Sequence, residues 1–422
     1  MGVQELERAL RSPARRGVIW TLGLGAFGLA FAGTTLTYLP VVLGRFTDSE
    51  SLIALVLGAE GAFALVLSPV IGPWSDTFHT PLGRRRPFML VALGPMAFCL
   101  CLVAFMPSLW TAALIVFAFF FAYYVYEAPY RGLYPDLLEP GTFGRAQSVQ
   151  HALRGVALAG ALVGGGFLLD VWHPFPFLLA ALVTTLACGS VIVLVREDGG
   201  HGRVFRGFRA YLATSWEIVR GEPEVRRFLL ANAAWEATFA AARIFVVLYV
   251  TKGLDQPARV ASLVLAIVAG GYVVAAIGSA RLADRIGLAR FIFACSWVYG
   301  LGLLVGGLAT QWHTWYYALI FPVAIAGGAV MTQAWALLFT LMPDRHRGAI
   351  SGLATMTKGL GLLGGPIVAG VAIDLASPVL RETEGYAVLW PVCALPVLAA
   401  IPLVYRLMQS GRAVSGTSAT GV

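Results

Sequence analysis

Residues 174–195 read PFPFLLAALVTTLACGSVIVLV, a stretch of 22 residues without a charged side chain. A helix rises about 1.5 Å per residue, so about 20 such residues cross the roughly 30 Å hydrocarbon core of a bilayer. Lipid offers the backbone no hydrogen-bond partners, and a helix satisfies its own. The stretch is therefore predicted to be a transmembrane helix.

Eleven further stretches have the same character, and the whole composition agrees with them. The chain is 58% hydrophobic and 12% charged, whereas soluble domains run at about 45–50% and 25%. We predict an all-α polytopic membrane protein with twelve transmembrane helices, which excludes a soluble enzyme and a disordered protein. The predicted spans are 18–43, 52–74, 88–106, 109–134, 146–169, 174–195, 228–250, 260–282, 291–309, 315–341, 349–373 and 386–407.

The positions of the 30 basic residues predict the orientation in the membrane. Twenty-three of them lie at the termini and in the turns that follow even-numbered spans, whereas the other turns hold only Arg45, Lys252, Arg259 and Arg381. Positively charged loops stay in the cytoplasm. We predict a multi-pass protein of the cell membrane with both termini inside. The positive charge thus serves topology, and we expect no nucleic-acid partner.

Several sequence features recur at a nearly constant offset. Arg154-Gly155 begins a Gly-rich run that ends at Asp170, and Lys358-Gly359 and Asp374 repeat this arrangement 204 residues later. An offset of 208 residues relates Asp76 to Asp284 and Pro135-Asp136 to Pro343-Asp344. An internal duplication explains these matches together. Two parallel six-helix repeats are therefore predicted, with a substrate site at their interface.

The duplication also predicts the division of the chain. We expect an N-terminal half at 1–195, a cytoplasmic linker at 196–227 and a C-terminal half at 228–410. Residues 205–220 of the linker favour an interfacial amphipathic helix. The Ser, Gly and Thr residues of 411–422 are typical of a disordered tail.

Six ionisable residues fall well inside predicted spans: Glu60, Glu127, Arg154, Glu236, Arg243 and Lys358. If all six faced lipid at about 3 kcal/mol each, they would cost roughly 18 kcal/mol. That exceeds a folding margin of about 5–15 kcal/mol. We therefore expect them to border a wet cavity or to pair with one another.

Three of these residues are acids that could couple transport to protons. Glu236 and Glu127 each have a base nearby in their own span, Arg243 and Arg131, whereas Glu60 has none. Movement of a neighbouring base changes the proton affinity of a buried carboxyl group. Glu236, Glu127 and Glu60 are therefore candidate proton-coupling residues, with a static ion pair as the alternative for each.

Other polar and aromatic residues in the spans are candidates for substrate binding. Amide and guanidinium donors suit hydroxyl or carboxylate ligands, and aromatic faces stack on sugar rings. The alternative is a polar contact between helices that is satisfied within the protein. The candidates from the residues alone are Gln150, Arg154, Asn232, Arg243, Gln333, Trp335 and Lys358.

The reactive residues of the chain show no pattern typical of an enzyme. The five cysteines lie in apolar runs without paired spacing, and the six histidines are scattered. We predict a protein that is not an enzyme and has no metal site or bound cofactor. Its expected partners are a small-molecule substrate and the lipid bilayer, and it is expected to function as a monomer.

The turn after the second span reads Gly72-Pro-Trp-Ser-Asp76, followed by Gly83-Arg84-Arg85-Arg86-Pro87. This pattern resembles the motif between spans two and three of the major facilitator superfamily. Its spacing is similar to that of the sucrose/proton symporters and the wider glycoside-pentoside-hexuronide cation symporters. Pro129-Tyr130-Arg131 with Asp136-Leu137 also has the spacing of the sucrose symporters at the end of span four.

The resemblance implies roles for individual residues. Arg131 would correspond to an arginine implicated in sugar binding. A cytoplasmic gate would be formed by the first-half motif together with its weaker second-half copy, namely Gly72, Asp76, Gly83, Arg84, Arg85, Arg86, Asp284 and Arg285. Two departures stand out, because Phe120 occupies the proton site of the sucrose symporters, and Ala64 and Ser68 occupy the cation site of the melibiose type. Any coupling site has therefore moved.

The expected function is secondary active transport by alternating access. The leading hypothesis is a symporter that moves a sugar or glycoside with protons as the coupling ion. A proton-driven exporter of amphipathic metabolites or drugs is the alternative, because the expected cavity is rich in aromatic residues.

Overall fold

The computed structural model describes residues 13–75, 77–78, 80–138, 143–197, 208–341 and 347–410. Within these ranges the chain is helical, and its one strand-like pairing is an isolated bridge between Thr80 and Gly83. Twelve helical segments of the described chain are long and apolar enough to cross a membrane, which confirms the predicted fold class. They are Gly17–Leu43, Glu50–Gly72, Arg86–Val103, Leu109–Tyr134, Ala152–Val171, Phe175–Leu194, Pro223–Gly253, Ala258–Ser279, Leu288–Gly306, Tyr316–Leu338, Leu353–Ala376 and Tyr386–Gln409.

The α-helices are numbered here in chain order. They are α1 (Pro13–Thr35), α2 (Leu39–Leu43), α3 (Glu50–Ser75), α4 (Arg86–Val103), α5 (Leu109–Leu137), α6 (Phe143–Val171), α7 (Phe175–Leu194), α8 (Phe208–Gly221), α9 (Pro223–Leu248), α10 (Ala258–Ile286), α11 (Leu288–Gly306), α12 (Tyr316–Leu341), α13 (Arg347–Ala376) and α14 (Leu389–Gln409).

The first and seventh spans differ from regular single helices. A 3-10 turn at Leu36–Tyr38 separates α1 from α2, and Pro40 then occupies the first turn of α2. The seventh span begins at Pro223, where the missing N–H costs no helical hydrogen bond, and ends in a π-helical turn at Tyr249–Gly253. Helix α8 precedes it within the predicted linker.

The chain divides into two compact units by its internal contacts. The first comprises residues 1–37 and 66–205, and the second comprises residues 38–65 and 206–422. The beginning of α3 thus packs with helices of the second half of the sequence. The predicted domain boundaries remain a prediction, and the predicted tail at 411–422 lies outside the described residues.

Each unit has its own helix packing, and the two patterns correspond. In the first unit, α1 packs against α6 and α7, while α4 packs against α5 and α7. In the second, α9 packs against α13 and α14, while α11 packs against α12 and α14. Counted as spans, each contact of the first set recurs six spans later in the second. An internal duplication accounts for this correspondence, as the spacing of the charged residues predicts.

Candidate functional site

An ion pair between α3 and α9 is the main charged feature in the spans of the second unit. Nη2 of Arg243 donates to Oε2 of Glu60. The side chains are 24% and 17% exposed, so the pair is partly shielded and retains access to its surroundings. Glu60 lies near the middle of α3 and Arg243 in the second half of α9. The two residues are 183 positions apart, which hides the pairing from the sequence.

Close packing between α3 and α13 surrounds this pair. Gly61, the next residue after Glu60, lies against the backbone of Gly359 and Leu363, and an added Cβ would overlap both. A Cβ on Gly359 would in turn lie 3.0 Å from the carbonyl oxygen of Gly61. Because both contacts are made by glycine backbone, the two helices approach closely. This packing holds the part of α3 that carries Glu60 against α13.

The opposite side of α13 packs in the same manner on α9. A Cβ on Gly361 would lie 2.7 Å from the carbonyl oxygen of Ala233, and one on Gly365 would overlap the backbone of Ala237. Glu236 belongs to this crossing, because its own Cβ would lie 2.8 Å from the added atom on Gly361. Glu236 is 6% exposed. It thus stands at a helix contact rather than on an open face.

The amide candidates of the second unit are bonded within the protein. Asn232 is buried and donates through Nδ2 to the carbonyl oxygen of Ala354 at 3.3 Å and to Oγ1 of Thr357 at 3.2 Å. Gln333 is also buried and donates to Oγ of Ser279 at 2.7 Å. Both contacts join neighbouring helices, which fits the interhelical alternative stated for these residues.

Trp335 and Lys358 are half-buried in the same unit. Lys358 forms no hydrogen bond or ion pair with another residue that the structure describes. It directly precedes Gly359, the residue packed on α3.

The first unit contains a second intramembrane ion pair, between Glu127 and Arg131 on α5. Nε and Nη2 of Arg131 both donate to Oε1 of Glu127, at 2.8 and 2.5 Å. The residues are one helical turn apart, so the sequence could indicate this pair. The Arg131 side chain is 51% exposed, whereas the Glu127 side chain is 13% exposed. The largely shielded carboxylate of Glu127 thus holds the exposed guanidinium group of Arg131.

Arg154 on α6 is the third residue of the span Ala152–Val171 and is exposed. Among the described residues, Arg154 makes no hydrogen bond or ion pair. Gln150, one turn before it, is half-buried, and its Oε1 is buried without a described hydrogen-bond partner. Gln150 and Arg154 thus lie on one face of α6, and Arg131 is placed separately on α5 with Glu127.

Several aromatic residues of the spans belong to the core. Trp235, Tyr126 and Tyr130 are almost completely buried. The hydroxyl of Tyr126 donates to the carbonyl oxygen of Cys188 at 2.8 Å, and that of Tyr130 donates to the carbonyl oxygen of Leu22. These rings pack helices together and present no face to a ligand. Tyr123 and Trp335 are half-buried, and the ring of Tyr123 contacts the rings of Phe119 and Tyr124.

The turn between α3 and α4 forms a compact ionic cluster. Arg84 and Arg85 donate to one carboxylate oxygen of Asp136, at 3.1 and 2.8 Å. The backbone N–H groups of both arginines donate to Oε2 of Glu197, at 2.5 and 3.0 Å. The cluster therefore connects this turn to the end of α5 and to the segment after α7. The sequence motif contains Asp136 but provides no signal for Glu197.

Glycines shape this cluster. Gly83 has a positive φ of 100°, and a Cβ there would lie 2.5 Å from Oε2 of Glu197. Gly132 supports the guanidinium of Arg85 so closely that an added Cβ would overlap it. Arg86 donates to the carbonyl oxygen of Ile192 at 2.9 Å through Nε. Two of these contacts are made at glycines, where no side chain is in the way, and the third is made to a carbonyl oxygen near the end of α7.

Among the remaining predicted gate residues, the structure describes Gly72 and the side chain of Arg285, and neither contacts this cluster through a described hydrogen bond or ion pair. Gly72 lies within α3, with open space where a Cβ would stand, and Arg285 is exposed on α10. Asp76 and the side chain of Asp284 lie outside the described residues. Nowhere in the described chain do three or more His, Cys, Asp or Glu side chains gather as a metal site.

The helix arrangement and the charged turn agree with the comparison to known families. The family model of the Major Facilitator Superfamily matches the chain twice, over residues 20–257 and 228–419. The chain belongs to the major facilitator superfamily. Two matches of one model to successive parts of the chain also agree with the internal duplication. The protein is therefore a multi-pass membrane protein of a transporter superfamily.

A curated relative and two solved structures are similar over nearly their whole length. The tetracycline resistance protein, class C, of Escherichia coli is 25% identical over 402 residues, 92% of this chain and 96% of that protein. A bacterial homologue of the human lysosomal transporter Spinster in an inward-facing, unoccupied conformation has a TM-score of 0.77 at 13% identity, covering 97% and 100%. The nucleoside transporter NupG has a TM-score of 0.74 at 13% identity, covering 93% and 99%. The structural similarities show the fold alone.

Proposed function

We propose that the chain is a proton-coupled secondary transporter that works by alternating access, with a sugar or glycoside as its substrate. It would act as a monomer in the cell membrane with both termini in the cytoplasm. Superfamily membership supports transport, and the ion pair between Glu60 and Arg243 carries the proposal of proton coupling.

The proposed coupling follows from the chemistry of that pair. Protonation of Glu60 would remove its charge and release Arg243 to bind another acceptor. Loss of the proton would restore the attraction, which is strong where solvent screening is weak. The pair joins a helix of the first sequence repeat to a helix of the second. A change in the pair therefore alters the free energy of conformations that differ in this contact, as coupling requires.

Glu60 is a better candidate for coupling than the other two acids. Glu236 is buried at a glycine-packed crossing of α9 and α13, where exchange with water is restricted. Glu127 and Arg131 belong to one rigid helix, which keeps their backbones in register when the protein changes shape. Glu60 and Arg243 stand on separate helices, so a change in the distance between α3 and α9 would change the distance between the two charges. We therefore assign coupling to Glu60 and structural or orienting roles to the other two.

The substrate class rests on the resemblance to sucrose symporters and on the residues that carry it. Arg131 stands at the position implicated in sugar binding, with its guanidinium outward, and Tyr123 on the same helix is half-buried. The ionic cluster of Arg84, Arg85 and Asp136 would serve as the cytoplasmic gate that the turn motif implies.

Transport in reconstituted vesicles tests the proposal. A panel of labelled mono- and disaccharides is assayed for accumulation under an inward proton gradient and for counterflow without a gradient. In the Glu60→Gln variant, gradient-driven accumulation should fall more than about tenfold, whereas counterflow should be retained. Asp170→Asn, which changes an exposed acid at the end of α6, is the matched control. The Glu236→Gln and Glu127→Gln variants are assayed in parallel. If Glu60→Gln accumulated substrate as the wild type does, Glu60 would not be the coupling residue, and the acid whose variant loses accumulation would be assigned that role.

Export of an amphipathic compound is the second candidate function. The similarity to the tetracycline resistance protein over 92% of the chain favours it. Inside-out vesicles with an acidic lumen would then accumulate labelled tetracycline in exchange for protons that leave the lumen, whereas the sugar panel would show no uptake in any orientation. Sugar accumulation without tetracycline accumulation would contradict export.

A further inference from the structure

We propose that Glu50 is a proton-binding site at the predicted extracellular end of the second span, and that a proton bound there loosens the attachment of residues 38–65 to helices of the second repeat. The site is separate from Glu60, the residue to which proton coupling is assigned. The inference rests on the proposed function in one respect, because it gives the bound proton a part in opening the transporter to the outside.

Residues 38–65 belong to the first repeat of the sequence, yet they lie in the second compact unit. The boundaries of this segment fall inside the first and second spans, so it comprises the parts of those spans nearest the turn between them. Tyr38 and Ser262 are both buried, and their hydroxyl oxygens are 2.9 Å apart. At Gly370 of α13, an added Cβ would lie 2.6 Å from the carbonyl oxygen of Glu50. An opening of the transporter on this side must break such contacts.

Glu50 is 3% exposed, and its two carboxyl oxygens have different surroundings. Oε1 accepts hydrogen bonds from the hydroxyl of Tyr386 and from Nζ of Lys252, the latter at 3.4 Å. Oε2 is buried and has no hydrogen-bond partner among the described residues. A buried oxygen without a partner costs more free energy when it carries charge than when it is neutral. The partners of Oε1 thus favour the charged carboxylate, whereas Oε2 is the place where a proton would bind.

The charges nearest to Glu50 do not balance. Both oxygens of Asp374 accept hydrogen bonds at the N-terminus of α3, including one from the N–H of Glu50 at 2.7 Å, and these bonds favour its ionised form. Among the described contacts of these two carboxyl groups there is one base, Lys252, whose side chain is 30% exposed and therefore partly screened. The positive end of the α3 dipole already has Asp374 as its counter-charge. A second negative charge beside Asp374 is unfavourable, which favours a proton on Glu50.

The other charged side chains of the adjoining turns are exposed, so water and salt screen them. They are Arg45, Asp48, Asp255, Arg381, Glu382 and Glu384. The phenol of Tyr249, in the same π-helical turn as Lys252, donates to the carbonyl oxygen of Ala309 instead. The protonation of Glu50 therefore depends mainly on Asp374, Lys252 and Tyr386.

Binding of one proton from water to Oε2 turns the carboxylate of Glu50 into a neutral carboxylic acid. The attraction to Lys252 is then lost, and the hydrogen bond from Tyr386 weakens because its acceptor is no longer charged. Both partners belong to the second repeat, whereas Glu50 belongs to the first. Protonation thus weakens one attachment of residues 38–65. By linkage, a conformation in which this segment is released binds the proton more tightly than the present one.

A thiol at position 262 reports whether residues 38–65 separate from α10, because Ser262 is 0% exposed and contacts Tyr38. The full chain with Ser262→Cys is purified in neutral detergent and reacted with a water-soluble maleimide, and labelling of that peptide is followed by mass spectrometry. Each rate is divided by the rate for the unfolded chain at the same pH, since thiolate formation itself depends on pH. We expect this ratio to rise at least about fivefold between about pH 8 and about pH 5.

Three further variants, each combined with Ser262→Cys, test the assignment. Glu50→Gln is neutral at every pH, so it should label rapidly throughout the range and lose the pH dependence. Asp48→Asn removes an exposed acid two residues away and should keep the wild-type profile. Tyr386→Phe removes a donor that stabilises the charged carboxylate, so the midpoint of its profile should move to higher pH. A merely structural role of Tyr386 would change the rate at all pH values and leave the midpoint in place.

The proposal would be overturned by a wild-type ratio that does not change with pH, by a pH dependence that survives in Glu50→Gln, or by an unmoved midpoint in Tyr386→Phe. Glu60→Gln should still label faster at low pH because Glu50 is intact, and loss of the pH dependence in that variant would assign it to Glu60 instead. The assay uses neither substrate nor gradient. A chain that accumulates no sugar can therefore still show a proton site at Glu50, and a failed Glu50 site leaves the accumulation assay of Glu60→Gln intact.

Discussion

Asp374 at the end of α13 caps the N-terminus of α3 at Glu50. One carboxylate oxygen accepts the Glu50 N–H at 2.7 Å, and the other accepts the Ser51 N–H at 2.9 Å. The hydroxyls of Ser49 and Ser51 donate to the second oxygen at 3.0 and 2.5 Å. A carboxylate at this position satisfies backbone donors that a helix leaves open and lies at the positive end of its dipole. The cap thus fixes the start of α3 within the second unit.

Glu50 extends this contact to two further segments. It is 3% exposed, and its Oε1 accepts from the hydroxyl of Tyr386 and from Nζ of Lys252 at 3.4 Å. Tyr386 precedes α14, and Lys252 lies in the π-helical turn that ends the seventh span. Asp374 and Glu50 therefore gather the ends of four spans.

Loss of the cap should destabilise the second unit. We expect Asp374→Asn to lower the free energy of unfolding by about 1–2 kcal/mol. The Asn amide is neutral and has one acceptor oxygen, so it cannot accept the four hydrogen bonds that the charged carboxylate accepts. Asp170→Asn is the control, since Asp170 is the repeat copy of Asp374 and is exposed. Thermal unfolding in detergent measures both. Equal midpoints for the two variants would contradict the capping role.

Two neighbouring glycines of α13 should respond to alanine with opposite signs. Gly364 has open space where a Cβ would stand, so Gly364→Ala should stabilise the helix by up to about 1 kcal/mol. Gly365 lies against the backbone of Ala237, so Gly365→Ala should separate α13 from α9 and destabilise the protein by about 1–3 kcal/mol. The yield of monodisperse protein and its unfolding midpoint report the difference. A gain in stability from both substitutions would show that the crossing tolerates a side chain.

The stability of the turn between α3 and α4 should depend on the carboxylates of the ionic cluster more than on charged side chains elsewhere on the surface. We expect Asp136→Asn to cost about 1–2 kcal/mol, because it leaves Arg85, which is buried, without that carboxylate. The estimate is modest because the Asp136 side chain is partly exposed. Arg290→Gln changes an exposed base at the start of α11 and serves as the control. Limited proteolysis of the turn should accelerate in Asp136→Asn and stay unchanged in Arg290→Gln. Unchanged cleavage in both would place the stability of the turn elsewhere.

The sequence predicted the spans well because their signal is local. An uncharged run such as residues 174–195 needs no knowledge of its neighbours, and Glu127 and Arg131 pair within one helical turn. The contact of Glu60 with Arg243 and the capping of Glu50 by Asp374 depend on packing between helices far apart in the chain. Burial was equally hidden, since the buried Trp235 and the exposed Trp20 both lie inside apolar spans.

The ion pair of Glu60 and Arg243 predicts a non-additive response to neutral substitutions. Glu60→Gln leaves a partly buried guanidinium without this carboxylate, and Arg243→Gln leaves the carboxylate without this base. Each should lower the free energy of unfolding by about 1–3 kcal/mol, whereas the double variant removes both charges and should cost less than the sum by at least about 1 kcal/mol. The same cycle with Glu60→Gln and Arg259→Gln should be additive, since Arg259 is exposed at the start of α10. Additivity in the first cycle would mean that the two charges do not stabilise each other, and Glu60 would then lose the partner through which its protonation could act.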